Sequence, residues 1–233
     1  MPAMLDDPTS PPIRRPAYKS PLLTYDELLQ ADIRPRSVTL KDGTKATIIP
    51  FTSPSQVPQS LSAILCAELN KEIEKGDTYP MVDQLPLAAF HPYWFSLFGA
   101  IMFSGEFESA EQITKLGNDA DWEKICLGSF YVKPNYPGRS SHVCNGGFLV
   151  TPAARNRGVG KLLGQAYLEW APKLGYKYSV FNLVYETNVP SLRIWDSLGF
   201  ERVGRIKGCG NLGSYPDKLV DAIIYGYDFS KNS

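Results

Sequence analysis

The stretch that decides the fold is NGGFLVTPAARNRGVGKLLGQAYLEW, residues 145–170. Its first part, 147–150, is a short apolar run of strand character. Its last part is helical: Val159, Leu162, Leu163, Ala166 and Trp170 share one face, and Lys161, Gln165 and Glu169 lie opposite. Between them lies Arg155-Asn156-Arg157-Gly158-Val159-Gly160. A helix start has unpaired N–H groups and a positive dipole end, and glycine removes the Cβ atoms that would hold a phosphate off them. Arg155, Arg157 and Lys161 add charge, so the segment reads as a phosphate cradle between a strand and a helix. Two other phosphate motifs fail. A Walker A loop needs glycine where Arg155 stands and Ser or Thr where Leu162 stands. A dinucleotide fingerprint forced onto Gly158, Gly160 and Gly164, with Glu186 as ribose ligand, puts its third glycine one place late and leaves too little chain for a doubly wound sheet.

Working outward, Pro172 and Gly175 end the helix, and 178–184 is a nearly continuous apolar run, expected to be a strand buried on both faces beside the strand before the helix. That makes a βαβ unit. A short helix over 190–198, opened by Pro190 and closed by Gly199, leads to strands at 201–206 and 220–229. Upstream, 127–132 pairs with 147–150 as antiparallel strands. The Asp42-Gly43 step between 37–40 and 44–49 predicts a hairpin. Apolar spacing predicts a helix over 56–75 stopped by Gly76, a second over 85–97, and a strand at 100–103, while the acidic 104–124 stretch reads as an inserted surface segment.

The chain of 233 residues is long enough for one core, expected over 25–233, behind a flexible proline-rich extension at 1–24. Lysine plus arginine equals aspartate plus glutamate at 24 each, which offers no global field for nucleic acid or an anionic membrane and favours a small-molecule partner. No apolar stretch reaches the roughly 20 residues of a membrane helix. Cys66, Cys126, Cys144 and Cys209 are scattered, with only His91 and His142 to complete a metal site, so no metal is expected. The expected compartment is reducing: the cytoplasm, with mitochondria left open.

The Arg-x-x-Gly-x-Gly loop after a strand resembles the coenzyme A signature of the GNAT superfamily of N-acetyltransferases, and NVPSLRIWDSLGF, 188–200, resembles that superfamily's asparagine-containing helix ending on Gly-Phe. More narrowly, SFYVKPNYPGRSSHVCNGGFLV, WAPKLGYKY, FNLVYETN and VDAIIYG are similar to the fungal L-azetidine-2-carboxylate N-acetyltransferases, which acetylate proline-related imino acids and protect cells against toxic ones. The resemblance implies an α/β GNAT fold: a mixed, mostly antiparallel central sheet with a splayed parallel strand pair and helices on both faces. It implies acetyl-CoA as co-substrate and a homodimer. By the same resemblance Phe148, Val150, Arg155, Asn156, Arg157, Gly158, Val159, Gly160, Lys161 and Asn188 would hold the coenzyme. The Phe148 N–H would polarise the thioester carbonyl, Asn188 would stabilise the leaving thiolate, and Asn145, Asn182 and Leu183 would meet the amine, with Asn145 on its carboxylate or ring substituents. Gly146-Gly147 suits the bulge that splaying needs.

The family's usual tyrosine acid, seven residues past the asparagine, is here Trp195, whose indole N–H can donate but cannot release a proton near neutral pH. Core packing is its more ordinary role. Glu186 and His142 are candidate bases with no motif aiming them, and a water chain serves equally; Cys144 has no activating group and reads as packing. The functions compatible with this pattern are acetylation of a small imino or amino acid, acetylation of another small amine such as a polyamine or drug, and acyl-CoA binding without turnover.

Overall fold

The structure, a computed structural model, describes residues 32–232. The 1–24 segment and the start of the expected 25–233 unit lie outside the described residues.

The hairpin read from Asp42-Gly43 forms: β1 (Arg36–Thr39) pairs antiparallel with β2 (Lys45–Phe51), and Gly43 turns the chain at a φ of 83° that other residues adopt at a cost. Helix α1 (Gln59–Lys75) stops where Gly76 takes the left-handed conformation at φ 69°. Helix α2 (Leu87–Phe95) leads into β3 (Gly99–Ser104). The stretch expected to be a surface insertion instead holds two short helices, α3 (Ala110–Leu116) and α4 (Trp122–Ile125). They bury Ile113 and Trp122, and Trp122 Nε1 donates to Ser60 Oγ at 2.9 Å. The acidic residues around these two apolar anchors hid them in the sequence.

Strands β4 (Cys126–Tyr131), β5 (Lys133–Pro134), β6 (Val143–Asn145) and β7 (Phe148–Val150) follow, then helix α5 (Val159–Lys173) and strand β8 (Tyr178–Tyr185). Helix α6 (Val189–Ser197) and strands β9 (Glu201–Gly210) and β10 (Val220–Asp228) complete the order. Among the described residues two five-stranded sheets result, ordered β1-β2-β3-β4-β7 and β5-β6-β8-β10-β9. All strand pairs are antiparallel except β6–β8. The architecture is a mixed, mostly antiparallel α/β arrangement with one parallel strand pair, as the resemblance implies.

Alternation along the strands splits the core into two layers. Ile48, Ala100, Met102 and Phe130 pack toward α5, whose Val159, Leu163, Ala166, Tyr167 and Trp170 face them. Ile49, Phe51, Ile101 and Phe103 pack toward α1 and α2 through Leu61, Leu65, Leu69, Phe90 and Phe95. Each of the larger aliphatic and aromatic side chains among them contributes about 2 kcal/mol by leaving water. The helices therefore cover both faces of the first sheet.

The two sheets meet where one run of chain, 143–150, begins in the second sheet and ends in the first. The break is Gly146-Gly147. A Cβ at Gly147 would sit 2.3 Å from the Tyr131 ring and one at Gly146 2.7 Å from the Tyr167 ring, so only glycine fits at either position. Parallel pairing with β8 covers only Val143↔Tyr178 and Cys144↔Ser179, after which β7 pairs with β4 alone. Strand β8 is consequently not buried on both faces as its apolar run suggested. Phe181, Val184 and Tyr185 are buried, while Val180, Asn182 and Leu183 are half-exposed because no strand lies beside them on that side.

Candidate active site: the cleft between the diverging strands

Past that break the strands open a cleft of 840 Å³. Three of its walls come from the segments singled out in the sequence: Phe148 and Val150 on β7, Arg155, Asn156 and Gly158 on the loop, and Val159, Gly160 and Lys161 on α5. Leu183 on β8 and Asn188 at the start of α6 face them. Arg157, Asn145 and Asn182 do not line it.

The β4–β7 register decides which way the β7 main chain points. Tyr131 N–H donates to Gly147 O at 3.1 Å and Thr151 N–H to Leu127 O at 3.1 Å, so Gly147, Leu149 and Thr151 turn their polar groups toward β4. Antiparallel pairing alternates, and Phe148 and Val150 must turn theirs away from β4, into the cleft. The Phe148 carbonyl confirms this direction by accepting from Tyr79 Oη, 3.0 Å away on the far wall.

At the end of β7, Asn156 at φ 64° and Gly158 at φ 89° both take left-handed conformations, and Gly158 is the N-cap of α5 with no side chain to satisfy the helix's first N–H groups. Those donors open toward the cleft. The glycines inside the helix have another role. A Cβ at Gly160 would lie 2.9 Å from Ile194 Cδ1, and one at Gly164 2.5 Å from Leu198 Cδ1 and 3.3 Å from the Trp195 ring. They bring α6 against α5, which explains why a dinucleotide spacing was almost met. Gly164→Val is therefore expected to overpack this contact by about 2 kcal/mol and lower Tm by roughly 6 °C. Calorimetry showing an unchanged Tm would refute that role.

The cations are distributed differently from the sequence expectation. Arg157 turns to the β1–β2 hairpin, where its Nε donates to Asp42 Oδ2 at 2.6 Å and its terminal nitrogen to Thr44 Oγ1 at 2.9 Å. Hydrogen bonding from Arg157, with help from Thr44, holds the Asp42 carboxyl down at about 2. Arg155 does line the cleft but pairs with Glu72 on α1 at 2.6 Å, and Glu72 also accepts from Thr78 Oγ1 at 3.2 Å. Three cations that line the cleft have no ion pair among the described residues: Lys41, Lys161 and Arg193. Lys41 and Glu72 were invisible to motif reading because distant elements bring them here, while Arg193 sits inside the 188–200 segment without a role assigned to it there.

Asn188 caps α6, its Oδ1 accepting from Ser191 N–H at 3.3 Å, which leaves the side-chain NH₂ for the cleft. Next to it Thr187 Oγ1 is buried without a partner among the described residues, although Thr187 lines the cleft. Trp195 is a packing residue: it is buried, its ring meets Phe148 at 4.8 Å and Phe181 at 4.6 Å, and its Nε1–H donates to Ser191 Oγ at 2.8 Å.

Behind Gly146-Gly147 three amides interlock. Asn145 Nδ2 donates to Val180 O at 2.9 Å and Asn135 Oδ1 at 3.1 Å, and Asn135 and Asn182 exchange hydrogen bonds at 2.6 and 3.2 Å. The Val180 carbonyl can only accept, so it fixes the Asn145 orientation and leaves Oδ1 buried and without a partner among the described residues. An acceptor atom in that position matches an N–H or O–H and not a carboxylate, contrary to the first half of the sequence expectation for Asn145.

Neither candidate base is in the cleft. Glu186 pairs with Arg205 at 2.8 Å, and the His142 main-chain carbonyl accepts from Lys177 N–H at 2.9 Å. Burial pushes the Cys144 thiol up to about 12, which leaves it no thiolate for an acetyl-enzyme at neutral pH. Among the described residues no cluster of His, Cys, Asp and Glu could hold a metal ion, and no helix is long and apolar enough to cross a membrane.

Comparison with known proteins places this geometry. The Acetyltransferase (GNAT) family profile matches residues 84–200, half of the chain. The N-acetyltransferase aca1 of Schizosaccharomyces pombe is 43% identical over 171 residues, 73% of this chain and 81% of that protein. Protein SPT10 of Saccharomyces cerevisiae is 36% identical over 239 residues, 88% of this chain but 37% of that much longer protein. Among solved structures, a GNAT superfamily phosphinothricin acetyltransferase from Sinorhizobium meliloti in complex with AcCoA superposes with a TM-score of 0.59 at 13% identity, over 78% of this chain and 88% of that one. The match of sequence, fold and glycine-opened helix start makes the chain a member of the GNAT acetyltransferase family.

Proposed function

We propose that this chain transfers an acetyl group from acetyl-CoA directly to the nitrogen of a small imino or amino acid, such as L-azetidine-2-carboxylate or a proline-related metabolite, in a detoxifying role. The observation that carries the reading is the cleft itself, where the Phe148 and Val150 main-chain groups that β4 does not pair and the uncapped start of α5 line the same space. Acetyl-CoA supplies the activated acyl group and a thiolate leaving group. The loop 155–160 and the N-terminus of α5 hold its diphosphate. The Phe148 N–H, turned away from β4, donates to the acyl oxygen as charge develops there, and the Asn188 NH₂ meets the departing sulfur. The amine nitrogen bonds to the acyl carbon as the carbon–sulfur bond breaks, and its proton leaves through water: Glu186 and His142 do not line the cleft, and the carboxylates that do, Glu72 and Asp77, are engaged by Arg155 and by Ser214 and Lys75.

The small-acid part of the reading is supported by the motif resemblance over 129–150 and 181–188, and by the fold shared with the Sinorhizobium meliloti phosphinothricin acetyltransferase. The homodimer and the cytoplasmic location belong to the same proposal. Asn145 does not line the cleft itself, so its Oδ1, which lacks a donor among the described residues, would receive the hydrogen of the acceptor's nitrogen or ring hydroxyl at the inner end, behind Gly146-Gly147. Asn145→Ala should therefore raise KM for the amine about tenfold and leave KM for acetyl-CoA within about twofold. A variant with the amine KM unchanged would remove Asn145 from recognition. The activity itself is tested by thiol release from acetyl-CoA with imino acids, amino acids and polyamines as acceptors. Turnover with polyamines alone would replace the acceptor class, and coenzyme binding without turnover by any amine would mark a sensor.

A further inference from the structure

Resting on the reading of the cleft as a coenzyme A site, we propose that Lys41 is a phosphate-binding residue of that site and supplies the charge that Arg157 does not. The β1–β2 turn is not an independent surface hairpin. Lys41 N–H donates to Arg157 O at 3.1 Å, and the Arg157 guanidinium binds Asp42 and Thr44 on either side of the turn's tip. These contacts join the turn to the glycine loop and set where the Lys41 side chain starts.

That side chain is laid over the helix start. A Cβ placed on Gly158 would lie 3.3 Å from Lys41 Cγ, 3.6 Å from Cε and 3.7 Å from Cδ, so the aliphatic stem crosses Gly158 and the ammonium is one bond beyond, on the cleft wall. Gly158 thus has two reasons to lack a side chain: its φ of 89° and the lysine lying across it. Charge accounting points the same way. Glu72 and Asp42 already neutralise Arg155 and Arg157, while Lys41 has no ion pair among the described residues. Coenzyme A carries a diphosphate and a 3′-phosphate. The helix-start N–H groups can serve one of them, and a mobile ammonium at the rim suits a phosphate's spherical charge.

Acetyl-CoA, 3′-dephospho-acetyl-CoA and acetyl-pantetheine are titrated into the full chain at low ionic strength, the last followed by NMR to reach millimolar affinities. Lys41→Ala is expected to weaken acetyl-CoA about tenfold, with a smaller effect at high salt, and Lys41→Arg to restore affinity to within about threefold. If the effect disappears with the 3′-dephospho compound, Lys41 holds the 3′-phosphate; if it disappears only with acetyl-pantetheine, Lys41 holds the diphosphate. Either supports the proposal. Equal weakening of acetyl-pantetheine, or no weakening of acetyl-CoA, overturns it. Wild-type chain that binds none of the three is a different result, and it is the coenzyme reading that then fails.

Discussion

Gly158→Glu is expected to abolish acetyl transfer and to weaken acetyl-CoA binding at least about a hundredfold, because it sets a carboxylate at the mouth of the helix start where the diphosphate would lie. Like charges in such close quarters cost several kcal/mol, and a hundredfold is about 2.7 kcal/mol. Two other effects of the substitution need separating from the charge. A side chain at φ 89° is strained by about 1 to 2 kcal/mol, and its Cβ presses on the Lys41 stem at 3.3 Å. Gly158→Asn carries both burdens without the charge, and asparagine tolerates the left-handed region, as Asn156 does at φ 64° two residues earlier. The asparagine variant should bind acetyl-CoA within about tenfold of wild type. Calorimetric Kd values and melting curves on both variants decide the matter: a folded glutamate variant with wild-type affinity would show that the loop does not hold the diphosphate.

The second large effect belongs to Asn188, which combines two roles in one amide. Its Oδ1 caps α6 by accepting from Ser191 N–H, and its NH₂ is the donor proposed for the leaving sulfur. Asn188→Asp keeps the capping oxygen, and a carboxylate at a helix N-terminus is favourable. It removes the donor and places negative charge beside a developing thiolate. The expected outcome is a kcat about a hundredfold lower, a Tm at or above wild type, and an amine KM within about threefold. Asn188→Ala loses the cap as well, at about 1 kcal/mol, so its Tm should fall while that of the aspartate variant does not. A kcat for Asn188→Asp within threefold of wild type would leave Asn188 a cap and nothing more.

The contrast between Arg155, Arg157 and Lys41 shows why the site was only partly legible. The glycine loop could be read because its requirement is local: a strand, a turn through left-handed φ, and an amphipathic helix are adjacent in the chain. The ion pairs could not. Asp42 and Arg157 are 115 positions apart, and Glu72 and Arg155 are 83 apart, so nothing in the loop announced that both arginines had partners. Asn145 was noticed as a polar interruption of an apolar strand, yet its donor and acceptor ends were indistinguishable until the Val180 carbonyl oriented it. Trp122 and Ile113 were missed for the opposite reason, being single buried residues in a stretch whose remaining composition says surface.

Sequence alone determined the order of the larger elements outside 104–125, the crossover between 150 and 178, and the glycine-opened helix start, because these depend on hydrophobic period and on backbone conformations that few residue types allow. Tertiary structure decided which groups the cleft presents. Whether a cation is available, an amide donates or accepts, or a strand has a neighbour depends on partners far away in the chain. Those partners become neighbours only in the folded chain, where the β1–β2 turn and α1 pack against the glycine loop.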